Sequence, residues 1–172
     1  MTEASADGPI VVLIGPMGSG KSRIGLELAD RWHAPLIDTD QRIAEAHGPI
    51  PGIFAEHGEA KFREFERAAV QQALTERAVV SLGGGAVLDP ATRADLATLP
   101  VVHLSVSAEA VAKRLVGGGR PLIEQGGIER WIEIADSRRD FYREVADFSV
   151  DTSNRSVAWV VGRILNWYGG RA

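Results

Sequence analysis

No cysteine occurs in the 172-residue chain, so a disulfide framework, a thiolate nucleophile and a cysteine-ligated zinc site are all excluded. Lysine is scarce: only Lys21, Lys61 and Lys113 stand among 19 basic residues, and 23 acidic residues leave a net charge of −4. That balance gives no overall basic field to attract nucleic acid or an anionic lipid surface. Long apolar runs are missing as well, and nothing approaches the ~18 residues needed to span a bilayer. No segment repeats at a fixed period. The four histidines, His33, His47, His57 and His103, lack metal-ligand spacing and are expected at the surface or satisfied in the core. Met1 to Gly8 is acidic and built of small residues, without the basic-then-apolar order of a signal peptide. It is expected to be a short disordered tail on a cytoplasmic, monomeric protein.

With 45% apolar residues the chain can bury a core of its own, and residues 1–172 are expected to form one domain. Five short apolar runs stand out: Ile10–Ile14, Leu36-Ile37, Val79–Leu82, Val101–Leu104 and Phe148–Val150. Helix-length segments separate them, over Ser22–Trp32, Glu59–Thr75, Pro90–Thr98, Ala108–Val116, Ile128–Val145 and Ser156–Tyr168. Trp32, Trp131, Trp159 and Trp167 fall in or beside these segments and read as packing residues. Runs of β alternating with α predict a three-layer α/β fold, a central five-stranded parallel sheet flanked by helices. Ligands of such sheets bind beyond the carboxyl ends of the strands.

The first of those ends carries the strongest signal. Gly15-Pro16-Met17-Gly18-Ser19-Gly20-Lys21-Ser22 fits the phosphate-loop pattern, follows a predicted strand and opens a predicted helix. Glycines let the backbone wrap a phosphate without Cβ clashes, so that successive N–H groups and the helix N-terminus face the anion. Lys21 reaches the outer phosphate oxygens and the Ser22 hydroxyl suits a Mg²⁺ ion. A dinucleotide fingerprint starting at Gly18 fails, because Arg23 stands where its last glycine is required.

Switch and motor ATPases end an apolar strand in an aspartate that holds Mg²⁺. Here the strand Val79–Leu82 runs instead into Gly83-Gly84-Gly85, and the acids lie at Asp38 and Asp40. Two readings of Asp40 stand at this level: a reacting carboxylate at the ligand end of the sheet, or the N-cap of a helix beginning near Gln41. Val116 to Gly127 places Arg120 between glycine-rich stretches, the composition of a mobile lid.

Taken in order, the phosphate loop, Asp38-Thr39-Asp40, Gly58-Glu59-x-x-Phe62-Arg63-x-x-Glu66, Gly83-Gly84-Gly85 and Arg120-Pro121-Leu122 resemble the shikimate kinase family. The likeness runs from about Ile10 to Tyr168. It implies a P-loop kinase that moves the γ-phosphate of ATP to the 3-hydroxyl of shikimate, with Mg²⁺, in aromatic amino-acid biosynthesis. Carried over by position, it implies that Gly18, Ser19, Gly20, Lys21, Ser22, Arg23, Arg120 and Arg155 bind ATP, Arg155 near the adenine. Asp38 would sit near the Mg²⁺ shell with Ser22, through water. Asp40, Arg63, Gly84, Gly85 and Arg138 would hold shikimate, and about 40–75 would form the substrate-binding region. Asp40, Lys21 and Arg120 would be the catalytic groups, Asp40 accepting a proton or orienting the hydroxyl. Gluconate kinases, which lack this motif set, and a silent nucleotide-binding module are the rival readings.

Helical spacing supports part of this independently. Over Glu59–Thr75 the apolar positions are Phe62, Phe65, Ala69 and Ala73, with Arg63 on the edge of the stripe and Glu66 three residues on. Over Ile128–Val145 the stripe is Ile128, Trp131, Ala135, Tyr142 and Val145. Arg138 falls inside it and so needs an anionic partner. Arg139 is the weaker candidate. Arg23 replaces a usual threonine, Ser156 stands where asparagine is common, and either Lys113 or Arg114 is available for the adenine.

Overall fold

The computed structural model describes residues 8–115 and 126–171. Five strands, β1 (Val11–Ile14), β2 (Leu36–Asp38), β3 (Val79–Ser81), β4 (Val101–Ser105) and β5 (Phe148–Asp151), form one parallel sheet. Their spatial order is β2-β3-β1-β4-β5. The register aligns Ile37 with Val80, Val12 with both Val80 and Val101, and His103 with Ile14 and Ser149. The carboxyl ends therefore lie side by side on one edge.

β1 is central and buried on both faces, which is why it reads as an unbroken apolar run rather than an alternating one. Its successive side chains enter different cores. Val11 and Leu13 pack with Ile24, Leu28, Val160 and Ile164, from α1 (Lys21–Arg31) and the last helix, here named α7 (Val157–Gly169). Val12 and Ile14 pack with Val70, Ala73, Tyr142 and Val145 on the opposite face. Those come from α3 (Ile50–Ala73) and α6 (Gly127–Val145). α2 (Thr39–His47), α4 (Pro90–Leu96) and α5 (Ala108–Leu115) complete the described helices. The three expected layers are present, and no described helix is long and apolar enough to cross a membrane.

Two helices differ from the sequence expectation. α2 starts at Thr39 rather than near Gln41, and its N-cap is Asp38, whose Oδ1 accepts from the N–H groups of Asp40 (3.0 Å) and Gln41 (3.2 Å). The capping reading of Asp40 is thus overturned, because the strand ends at Asp38 and the adjacent carboxylate is the one in reach. α3 begins nine residues before the expected Glu59. Pro51 sits in its first turn, and Gly58 breaks its helical geometry with φ +78°. That kink resets the periodicity, so Ile53 and Phe62 both face inward without sharing one 3.6-residue phase. Residues 116–125 of the expected lid (116–127), Arg120 among them, and 1–7 of the expected tail (1–8) lie outside the described residues, while Gly127 opens α6 and Gly8 is buried.

Candidate active site

From Ile14 the chain turns through the phosphate loop into α1. Gly15, Gly18 and Gly20 have φ of +148°, +81° and +93°, and a side chain on Gly15 would collide with the Leu104 carbonyl. Gly20 is the N-cap of α1, with no side-chain cap and no acid in the first turn, so the helix end remains complementary to an anion. The Lys21 ammonium bridges the loop, donating to the carbonyls of Gly15 (2.7 Å) and Pro16 (3.1 Å). Ser19 is buried, and its hydroxyl has no hydrogen-bond partner among the described residues.

Asp38 has two tasks. One carboxylate oxygen caps α2, and the other accepts from the Ser22 hydroxyl at 3.3 Å. One hydroxyl and one carboxylate oxygen suit Mg²⁺, which keeps most of its water shell and uses few protein ligands beside phosphates. Between the two aspartates, Thr39 is fully buried. Its hydroxyl donates to Ser81 O (3.4 Å) and accepts from the Gly83 N–H (3.1 Å), which fixes the start of α2 against the end of β3. Sequence reasoning gave Thr39 no part.

The three glycines after β3 each face a different charged group. A Cβ on Gly83 would stand 2.5 Å from Asp40 Oδ1, and one on Gly84 would stand 3.3 Å from Arg138 Nη1. A Cβ on Gly85 would stand 2.7 Å from Arg63 Nη2. Asp40, Arg63 and Arg138, from α2, α3 and α6, thus converge on one short backbone segment. Arg63 is steered by Glu66 (2.6 Å), as the spacing predicted, and also by Glu59 (3.3 Å). Arg138 and Arg139 differ in exposure. Arg138 is half-buried in the cleft, while Arg139 is exposed and paired with Asp136.

Burial raises the Asp40 carboxyl above the ordinary aspartate value, Asp38 adds to this, and Lys21, Arg63 and Arg138 oppose it. The buried Glu66 carboxyl is likewise raised by burial, against the pull of Arg63. Burial works to lower Arg63, but Glu66 and Glu59 outweigh it and hold the guanidinium charged.

At the other end of the loop Lys113 and Arg114 have different surroundings. Lys113 is exposed and pairs with Glu109 one turn back (3.0 Å). Arg114 lines the cleft and donates to Gly18 O (2.7 Å), Thr152 Oγ1 (3.2 Å), Thr152 O and Ser153 O (3.3 Å). Thr152 in turn donates to Ser19 O at 2.8 Å, so β5 and α5 together brace the phosphate loop. No pattern in the sequence marks Thr152. Arg155 also lines the cleft and stacks on Trp159, its guanidinium 4.4 Å from the ring centre. Ser156 caps α7 by accepting from the Trp159 N–H (3.1 Å). Arg23 is exposed at the cleft's edge.

One cleft of about 1120 Å³ connects these parts, from Arg155 and Val160 past the phosphate loop to Ile50, Phe62 and Arg63. Its two ends differ in chemistry. One has backbone donors, an ammonium and arginines suited to a nucleoside polyphosphate. The other has a carboxylate flanked by two guanidiniums over bare backbone, suited to an acceptor carrying hydroxyls and a negative charge. With a phosphate loop at the switch of a parallel sheet, fold and cleft define a P-loop phosphotransferase.

Comparison with known proteins narrows the class. A family model described as shikimate kinase matches residues 17–168. The shikimate kinase of Corynebacterium diphtheriae is 44% identical over 92% of this chain and 94% of its own length. That of Streptomyces coelicolor is 44% identical over 86% and 88%. Among solved structures, shikimate kinase from Acinetobacter baumannii in complex with shikimate superposes with a TM-score of 0.88. It is 28% identical and is matched over 96% of this chain and 95% of its own. A gluconokinase from Sinorhizobium meliloti, 21% identical with a TM-score of 0.61, shares the fold. The chain belongs to the shikimate kinase family.

Proposed function

We propose that this chain transfers the γ-phosphate of ATP to the 3-hydroxyl of shikimate, giving ADP and 3-phosphoshikimate, with the substrates lying end to end in the 1120 Å³ cleft. The observation that carries this is the convergence of Asp40, Arg63 and Arg138 on Gly83–Gly85, beside the phosphate loop. The acceptor's carboxylate is held by Arg63 and Arg138. Among the described residues no carboxylate lies within ion-pair distance of Arg138, so its charge is available to the substrate. Gly84 and Gly85 present backbone N–H groups to the same molecule. α2 and α3 supply the substrate region over 40–75 within one kinase domain.

The new bond joins the substrate oxygen to the γ-phosphorus as the bond to the β-bridging oxygen breaks, and that electron pair leaves with ADP. Asp40 takes the proton of the attacking hydroxyl, and its raised affinity for protons suits it to do so. A loose transition state carries its charge on the transferred phosphoryl oxygens, so positioning and cationic groups supply most of the rate. Lys21, released from the loop carbonyls, meets the outer phosphates, and Arg120 joins it from the lid. Ser22 and Asp38 would hold the Mg²⁺ ion, which neutralises phosphate charge when bound. Arg114 and Arg155 flank the adenine.

Measuring ATP turnover across shikimate, gluconate and other polyhydroxy acids tests the acceptor, and shikimate should exceed the rest. Asp40→Asn should lower kcat by ~10²–10⁴-fold while ATP binding is retained. Turnover of Asp40→Asn near that of the unaltered enzyme would remove Asp40 from the chemistry.

A further inference from the structure

Tyr142 occupies the apolar stripe of α6 one turn beyond Arg138, and it is 2% exposed. Its ring packs in the sheet's core and stacks on His103, with centroids 5.0 Å apart. Packing alone would be served as well by phenylalanine, but the hydroxyl is fully used. It donates to Gly84 O at 2.6 Å, and the Arg138 guanidinium lies against the same glycine. Burial pushes this phenol up to about 12, so it stays protonated and able to donate throughout the neutral range.

The peptide between Gly84 and Gly85 is trans and planar, so its C=O and N–H point to opposite sides. Holding the Gly84 carbonyl against Tyr142 therefore turns the Gly85 N–H away from it. Both residues line the cleft. A glycine-only segment has no side chains to fix its peptide planes, and rotation of that plane is cheap without an external tether. A Cβ on Gly84 would stand 3.3 Å from Arg138 Nη1 and 3.6 Å from the Tyr142 hydroxyl, so both groups meet the same glycine. The hydroxyl thus adjoins both the peptide and the cation that meet the acceptor.

We infer that Tyr142 is a positioning residue for the phosphoryl acceptor, acting through the Gly84–Gly85 peptide and the Arg138 guanidinium and touching no substrate itself. This rests on the reading that Gly84, Gly85 and Arg138 belong to the acceptor site.

The test is Tyr142→Phe, which keeps the ring and its stacking and removes only the oxygen. The KM for shikimate should rise roughly 3- to 10-fold, the scale of one neutral hydrogen bond. The KM for ATP should stay within about twofold, because the phosphate loop is braced by Thr152 and Arg114 instead. A purely structural tyrosine would lower the melting temperature without moving the two KM values apart, and that result overturns the inference. A double-mutant cycle supplies a second readout. In an Arg138→Ala background the effect of Tyr142→Phe on shikimate KM should shrink, since one of its two routes is gone. Full additivity would show that Tyr142 does not act through Arg138. If Arg138→Ala alone leaves shikimate KM unchanged, the site assignment fails. If Arg138→Ala raises it and Tyr142→Phe does not, only the role of Tyr142 fails.

Discussion

Replacing Gly85 by alanine tests the acceptor site with a single methyl group. Gly85 has φ −94° and ψ −2°, a conformation open to any L-residue, so the substitution introduces no backbone strain. Its only consequence is steric. The new Cβ would lie 2.7 Å from Arg63 Nη2 and 2.8 Å from Cζ, well inside contact distance, and the guanidinium must retreat by the better part of an ångström. Arg63 is the movable partner, but its movement disturbs the 2.6 Å bond to Glu66, whose side chain is 5% exposed. Disturbing a charge-assisted bond to a buried carboxylate costs about 1.5–3 kcal/mol. With each 1.4 kcal/mol worth tenfold, shikimate KM should rise roughly 10- to 150-fold. ATP KM should hold, because the three atoms nearest the new Cβ all belong to Arg63. Steady-state kinetics with each substrate varied in turn provides the assay. Gly84→Ala is the graded control: its Cβ would approach Arg138 Nη1 only to 3.3 Å, so a few tenths of an ångström of adjustment suffice and the effect should be smaller. Wild-type shikimate kinetics in Gly85→Ala would show that the position of Arg63 does not govern acceptor binding.

Two further outcomes follow from the described contacts. Arg114→Ala should raise ATP KM by about tenfold, through loss of its bonds to Gly18 and Thr152, while Lys113→Ala should leave both KM values within about twofold; equal effects would refute the assignment of Arg114 to the nucleotide side. Burial, and then the charges of Arg143 and Lys21, lower His103 to about 4, so the unfolded chain takes up this proton first as the medium acidifies. Stability should fall as pH drops from about 6.5 to about 4, by about 3 kcal/mol from this residue, and level off below. Asp40 and Glu66, with raised values, contribute in the opposite sense. Denaturant titrations of His103→Phe against the unaltered protein isolate the histidine's share, and parallel pH profiles would refute the assignment.

The strands, the phosphate loop and most helices were legible from sequence because their signals are contiguous. An apolar run ending in glycine is a buried strand feeding a turn. A glycine-rich segment before a helix offers backbone donors whatever the rest of the chain does. The Arg63–Glu66 pair was legible for the same reason, since helical geometry alone brings residues three apart together. What needed the tertiary structure was every relation between elements. Capping of α2 fell to Asp38 because β2 stops there, a boundary set by pairing with β3. α3 could be traced back to Ile50 only once Gly58 was seen to break its period. Lys113 and Arg114 are adjacent, and the 100° between them on a helix decides that one meets solvent and the other the phosphate loop. The glycines of Gly83–Gly85 show the division most clearly. Sequence marks them as bare backbone, but the reason for bareness lies in Asp40, Arg138 and Arg63, which arrive from 43, 54 and 22 residues away. A steric requirement between distant residues leaves no local pattern, because it exists only after the sheet has brought their elements to one edge.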